Sequence, residues 1–134
     1  MHVLIADDDH VTVQLLSSVL KVSGFELTIA RDAMQAVMMA MRNPPDAVIL
    51  DIGMPGGSGL QVLERLKKST KTNAVPVIVV TALTDPALPR KAAALGADEF
   101  FTKPIALDRL RTALDRLLGK SPPAEPGHEG DRED

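Results

Sequence analysis

Short uninterrupted apolar runs alternate along the chain with stretches in which apolar residues recur every three or four positions. The first run, Val3-Leu4-Ile5-Ala6, stops at three consecutive acids, as a parallel strand buried on both faces would. Val11, Leu15, Leu16, Val19 and Leu20 then repeat at helical spacing, which predicts a helix with that set turned inward and a stop at Gly24. Phe25, Leu27 and Ile29 alternate with Glu26 and Thr28, the pattern of a strand with one wetter face. Asp32 is placed to cap a second helix that buries Ala33, Ala36, Val37, Ala40 and Met41 and ends at Asn43-Pro44-Pro45. Within that helix Met34 and Met41 are expected to reach the core, and Met38 and Met39 to face outward. Ala47-Val48-Ile49-Leu50 is a third strand.

The second half repeats the alternation. Ser58 and Gln61 form a capping-box pattern ahead of Leu60, Leu63 and Leu66, a third helix. A strand spans Val75 to Val80 and ends at Thr81. A short helix over residues 90–95 has to begin near Pro89, which has no N–H to donate, and is stopped by Gly96. Phe100 and Phe101 mark a fifth strand, and Leu107, Leu110, Leu114 and Leu117 a final helix. Five strand–helix units imply an α/β domain with a parallel sheet and helices on both faces, because right-handed crossovers leave few other topologies.

The 134 residues amount to one domain, with residues 1–118 as its folded body. Residues 119–134 hold three Pro, three Gly, five acids and two bases, and no apolar side chain larger than alanine; this composition predicts a disordered acidic tail. The tail carries the whole net charge of −3, so the body is neutral. That balance lacks the basic footprint of a nucleic-acid binder, and with three Phe and no Trp or Tyr there is no platform for stacking bases. No apolar run is long enough to span a bilayer, and Met1-His2 leads directly into a strand without a signal-peptide pattern. The absence of Cys excludes disulfides and thiolate chemistry and is compatible with a cytoplasmic location.

The polar residues at the strand ends carry the chemistry. The first strand ends in Asp7-Asp8-Asp9, the third in Asp51, the fourth in Thr81 and the fifth in Lys103. In open α/β sheets ligands bind beyond the carboxyl ends, where the strand order reverses; in the flavodoxin-like order 2-1-3-4-5 that point lies between strands 1 and 3. Asp7, Asp8 and Asp51 are therefore expected to converge. Carboxylates about 5 Å apart repel by roughly 3 kcal/mol per pair at an effective dielectric near 20, so the cluster calls for a cation. Mg²⁺ suits an all-oxygen set completed by water and phosphate. Lys103 and Thr81 add a point charge and a hydroxyl for phosphoryl oxygens, and a carboxylate nucleophile among them describes phosphoryl transfer to an aspartate.

These residues resemble the receiver domain of two-component response regulators, of the stand-alone chemotaxis-regulator kind. The resemblance covers residues 2–118 and rests on the acidic pair after the first strand, Asp51-Ile-Gly-Met-Pro-Gly-Gly-Ser-Gly59 (D-x-x-M-P-x-x-x-G), Thr81-Ala82, Gly96-Ala97 and Lys103-Pro104. It implies that Asp51 accepts the phosphoryl group and that Asp7 and Asp8 hold Mg²⁺, with the Gly53 carbonyl as a further ligand. It also implies that Thr81 and Lys103 contact the phosphoryl oxygens, that Thr81 and Phe100 form the switch, and that Lys103-Pro104 is cis. The implied donor is a sensor histidine kinase or a histidine phosphotransfer protein. Output would pass to a downstream protein by contact, through the face of the fourth helix, fifth strand and fifth helix, and homodimerisation is compatible with it. Such a domain is no enzyme beyond its own phosphorylation and dephosphorylation.

Several positions depart from the family. Gly53 stands where a larger side chain is common, leaving an acyl phosphate more open to water. Gly57-Ser58 replaces Met-Asp, and Phe100 lacks a tyrosine hydroxyl, so a switch there works by packing. Two other readings remain open. Asp7-Asp8-Asp9-His10-Val11 also fits the D-x-D-x-[TV] opening of haloacid-dehalogenase-like phosphatases, in which Asp7 would be the nucleophile. An adaptor that uses the receiver fold without phosphorylation is the other. Asp9 and His10 are expected to be a helix cap and an exposed side chain.

Overall fold

The computed structural model describes residues 1–56 and 58–119. Its elements are β1 (His2–Ala6), α1 (His10–Val22), β2 (Glu26–Ala30), α2 (Ala33–Arg42), β3 (Ala47–Asp51), α3 (Gly59–Lys68), β4 (Val77–Thr81), α4 (Leu88–Ala94), β5 (Glu99–Thr102) and α5 (Leu107–Leu117). The five strands are all parallel, in the order β2-β1-β3-β4-β5. The predicted tail lies outside the described residues from Lys120 onward.

Side chains alternate across the sheet and fill two cores. Leu4, Val48, Leu50, Val77 and Val79 face α2, α3 and α4, while Val3, Ile5, Ile49, Ile78 and Val80 face α1 and α5. The central strands β1, β3 and β4 are almost wholly buried, which is why they read as unbroken apolar runs. Each fully buried Leu or Ile contributes roughly 1.5–3 kcal/mol of transfer free energy.

Several boundaries differ from the sequence expectation for identifiable reasons. β4 begins at Val77, not Val75, because Pro76 has no N–H for the ladder, although its carbonyl still accepts from Val48 at 3.0 Å. On α1 the inward set is Thr12, Val13, Leu16 and Leu20; Val11 and Leu15 are exposed, and Val19 is only half-buried. Asp9 fixes the start of the helix by accepting from the Val11 N–H and from the Thr12 hydroxyl, and Thr12 takes the inward place that periodicity gave to Val11. On α2, Met34 is exposed rather than inward, whereas Met39 packs against the core and Met38 is exposed as expected. At α3, Ser58 accepts from the Leu60 N–H at 3.2 Å, and Gln61 lies beside α2 instead of closing a capping box. α4 is a short helix with Pro89 in its first turn, stopped at Gly96, whose φ of +107° favours glycine.

Gly59 fixes how closely α3 approaches the β3–α3 loop. A β-carbon there would lie 2.2 Å from the Ile52 Cα, a backbone collision that no rotamer relieves. Gly59→Ala should therefore lower the unfolding free energy by about 3 kcal/mol or more. Gly24→Ala, where φ is +90° but nothing lies within 4 Å, should cost only about 1 kcal/mol. Urea denaturation of the two variants checks the contrast, and equal midpoints would show that the loop can retreat.

Candidate functional site

The strand register brings the polar residues together. Ala6 of β1 pairs with Leu50 of β3, so the next residues, Asp7 and Asp51, emerge side by side at the centre of the sheet. Asp51 pairs with Val80, one residue before Thr81, and Thr81 pairs with Thr102, one residue before Lys103. Two backbone bonds extend the ladders past the strands: Asp7 N–H donates to the Ala30 carbonyl at 2.9 Å, and Lys103 N–H to the Thr81 carbonyl at 2.8 Å. The functional side chains thus stand on anchored backbone. The Lys103-Pro104 peptide is cis, as expected.

Asp7, Asp8 and Asp51 offer carboxylate oxygens that all lie within 4.8 Å of one another. Asp7 and Asp51 are buried and Asp8 is exposed at the mouth. The Lys103 Nζ sits 3.0 Å from Asp7 Oδ2 and 3.0 Å from Asp51 Oδ2, and 3.8 Å from Asp9 Oδ2. Backbone donors hold the other oxygens: Asp9 N–H donates to Asp7 Oδ1 at 2.9 Å, and Gly53 N–H to Asp51 Oδ1 at 2.8 Å. Asp7 Oδ2 touches the ammonium but has no aligned hydrogen bond, a buried oxygen left with ligand capacity.

Burial pushes the Asp7 carboxyl above the ordinary range, against the pull of the Asp9 N–H and Lys103, with the Asp51 charge adding to the rise. Lys103 is held above its ordinary value: burial alone would lower it, but hydrogen bonds to Asp7 and Asp51 outweigh that. Asp9 is pulled low by the Thr12 hydroxyl, which donates to it at 2.8 Å, and by the Val11 N–H. Asp9 is therefore a cap, as expected, that also faces the lysine. His10 is exposed, with its Nδ1 3.4 Å from an Arg31 nitrogen.

The donor set is entirely oxygen, with one buried carboxylate oxygen lacking an aligned partner. That chemistry fits a hard divalent cation such as Mg²⁺.

Thr81 is fully buried, and its hydroxyl oxygen accepts from the Leu83 N–H at 3.1 Å. Phe100 is half-buried against the core beneath α3 and α4, beside Val79. Sequence reasoning passed over Leu83. A β-carbon on Gly53 would lie 3.4 Å from Asp51 Oδ1 and 3.8 Å from the Leu83 side chain, so this leucine, 47% exposed, stands near the Asp51 carboxylate on its Gly53 side. The only signal was a large apolar residue in a polar loop. A cavity of about 410 Å³ adjoins the acids, running past Asp9 and Lys103 between Val11, Leu15 and Ile105.

The profile of the response regulator receiver domain matches residues 3–115. The response regulator PleD of Caulobacter vibrioides is 34% identical over 125 residues, which cover 86% of this chain and 28% of PleD, so the chain spans under a third of that relative. A putative response regulator from Chloroflexus aurantiacus superposes with a TM-score of 0.83 at 28% identity, covering 89% of this chain and 98% of the other. The receiver domain of sensor histidine kinase PA1611 from Pseudomonas aeruginosa, whose structure has a magnesium ion in the active-site cleft, shares the fold with a TM-score of 0.80 at 24% identity, covering 89% and 98%. The match over nearly the whole folded body removes the haloacid-dehalogenase reading of Asp7. With five parallel strands in the order 2-1-3-4-5 and an acidic cluster at the switch point, the chain belongs to the receiver domain family of two-component response regulators.

Proposed function

We propose that Asp51 accepts a phosphoryl group from a phosphohistidine, with Mg²⁺ held by Asp7, Asp8 and Asp51 and by the Gly53 carbonyl. The observation that carries this reading is the Lys103 ammonium set equally between Asp7 and Asp51, where it can follow charge as it moves from carboxylate to phosphoryl oxygen. An Asp51 oxygen attacks phosphorus, the P–N bond breaks, and the imidazole nitrogen leaves with the electron pair. Lys103 meets the charge on the transferred group, and the Gly53 N–H keeps the carboxylate oriented. The bound cation would supply neutralisation of the phosphoryl oxygens during transfer.

The donor is a sensor histidine kinase or a histidine phosphotransfer protein, which the chain meets in the cytoplasm. The apolar cavity between Val11, Leu15 and Ile105 supports its approach from the α1 side. Once phosphate is attached, Thr81 gives up the Leu83 N–H and turns its hydroxyl to the phosphoryl group, and Phe100 repacks into the space. Coupling of this kind is typically about 1–3 kcal/mol, a shift of populations within one fold. The shifted face of α4, β5 and α5 then meets a downstream protein, or a second copy of the chain.

Incubation with acetyl phosphate and Mg²⁺ should label Asp51, and Asp51→Asn should abolish the label; a label that persists on Asp7 would overturn the assignment. Beryllofluoride with Mg²⁺ should move the amide resonances of Thr81, Leu83 and Phe100. Unchanged resonances would leave a non-phosphorylated adaptor. Asp7→Asn should stabilise the metal-free protein by on the order of 1 kcal/mol, a fraction of the pairwise repulsion because Lys103 already offsets part of it. The same change should remove the gain in thermal stability that Mg²⁺ gives the parent chain; calorimetry with and without the ion measures both. Gly53→Ala crowds the open side of the acceptor, and the half-life of the phosphorylated form should lengthen severalfold.

A further inference from the structure

We infer that the groove between α2 and α3 is a docking site for an acidic amphipathic helix of a partner protein. A cavity of about 140 Å³, room for one large apolar side chain, lies there on a floor of Ala33, Val37 and Val62. Its walls are Met34 on one side and Arg65 on the other. Met34 and Met38, one turn apart on α2, are 69% and 50% exposed, an unusual placement for two unbranched thioethers in a domain whose other large apolar side chains mostly reach the core. Methionine suits a surface that must mould to a partner's side chains, because its thioether is polarisable and adapts its rotamers.

Charge selects the kind of helix. The helical residues of α2 include no acid and end in Arg42, and the carboxylate of its cap, Asp32, is taken up by the Gln35 N–H at 2.8 Å. On α3 the acid and two of the cations are already engaged: Glu64 with Lys68 at 2.8 Å, and Lys67 with Asp98 at 3.3 Å. The Arg65 side chain, on the groove, has no ion-pair partner among the described residues. A slot with an apolar floor and a rim of Met34, Gln61 and Arg65, the last without an ion-pair partner among the described residues, is complementary to a helix that presents a leucine-sized anchor with a carboxylate one turn away. A basic or neutral helix would leave Arg65 repelled or unmatched.

The site is distinct from the acidic cluster, yet its upper wall comes from Gly56 and Ser58, in the segment that follows Asp51. The Ala33 N–H donates to the Pro55 carbonyl at 3.1 Å, so the first turn of α2 is tied to the same segment.

The test uses the full chain, isotope-labelled, and two synthetic 16-residue helical peptides with leucines along one face, one flanked by Glu and its twin by Lys. The acidic peptide should shift resonances of Ala33 to Met38 and Gln61 to Arg65. Arg65→Glu should weaken it at least tenfold and invert the preference in favour of the Lys twin. Met34→Ala should weaken both peptides severalfold. Neither residue touches the acids, so acetyl phosphate labelling of these variants should match the parent. The proposal is overturned if the acidic peptide causes no shifts at millimolar concentration or if its shifts centre on another face. It also fails if Arg65→Glu leaves the preference unchanged, or if dilution alone moves the groove resonances, which would mean that a second copy occupies it.

Discussion

Two buried carboxylates from adjacent strands, Asp7 and Asp51, face one ammonium, and the site depends on how their charges balance. Lys103 reaches Asp7 across 96 residues of sequence, so the contact exists only when β1 and β5 deliver their carboxyl ends to the same side of one sheet. The signs of the two pKa shifts differ in meaning. Lys103 is raised by its partners, so its contribution to stability is complete below its ordinary value and is lost only as pH climbs through the raised one. Asp7 is raised mainly by burial, so its ionisation weakens the metal-free fold as pH rises from its ordinary value through the raised one. The lysine stays engaged at every pH below its ordinary value, while ionisation of Asp7 is opposed by its burial and by the Asp51 charge. A cluster in that condition has free energy to gain from a further cation.

A parallel sheet suits this arrangement because every strand delivers its carboxyl end to the same side. The apolar runs do more than fill the core. By burying β1, β3 and β4 on both faces, they hold the backbone rigid up to the residue at which each acid or hydroxyl emerges. The ladder bonds from Asp7 N–H and Lys103 N–H carry that rigidity one residue beyond the strands. The exposed Asp8 and the Leu83 loop have no such anchor, so the part of the site open to solvent is also the part free to adjust.

Strand and helix number were legible in the sequence because they follow from chain-wide alternation, whereas the strand order, and with it the meeting of Asp7, Asp8, Asp51 and Lys103, rested on the flavodoxin-like order of the family that the strand-end residues resemble. What escaped was phase and cover. The inward face of α1 is set by Val13, Leu16 and Leu20 packing against the sheet, with Thr12 turned in to bond Asp9, and two apolar residues, Val11 and Leu15, remained outside where periodicity alone placed them inside. Met34 and Met39 exchanged roles because methionine fits either environment, so composition could not decide between them. Leu83 was missed because its place beside Gly53 brings two loops together, and no local period signals the approach of one loop to another.

The segment from Gly53 to Gly59 shows why the site and the helices around it cannot be treated separately. Gly53 leaves space beside the Asp51 carboxylate, Gly56 lets the chain pass Asp32 at the start of α2, and Gly59 admits α3 against Ile52. A β-carbon at Gly59 would collide with the Ile52 backbone, one at Gly56 would press on the Asp32 cap of α2, and one at Gly53 would come into ordinary contact with the Asp51 carboxylate. Because the same few residues set all three distances, a change in the charge or volume of Asp51 meets backbone already bonded to α2 through Pro55. Through the Pro55 carbonyl the backbone after Asp51 is tied to the first turn of α2, and through the Ile52 carbonyl, which accepts from the Gly59 N–H at 3.3 Å, it is tied to the start of α3.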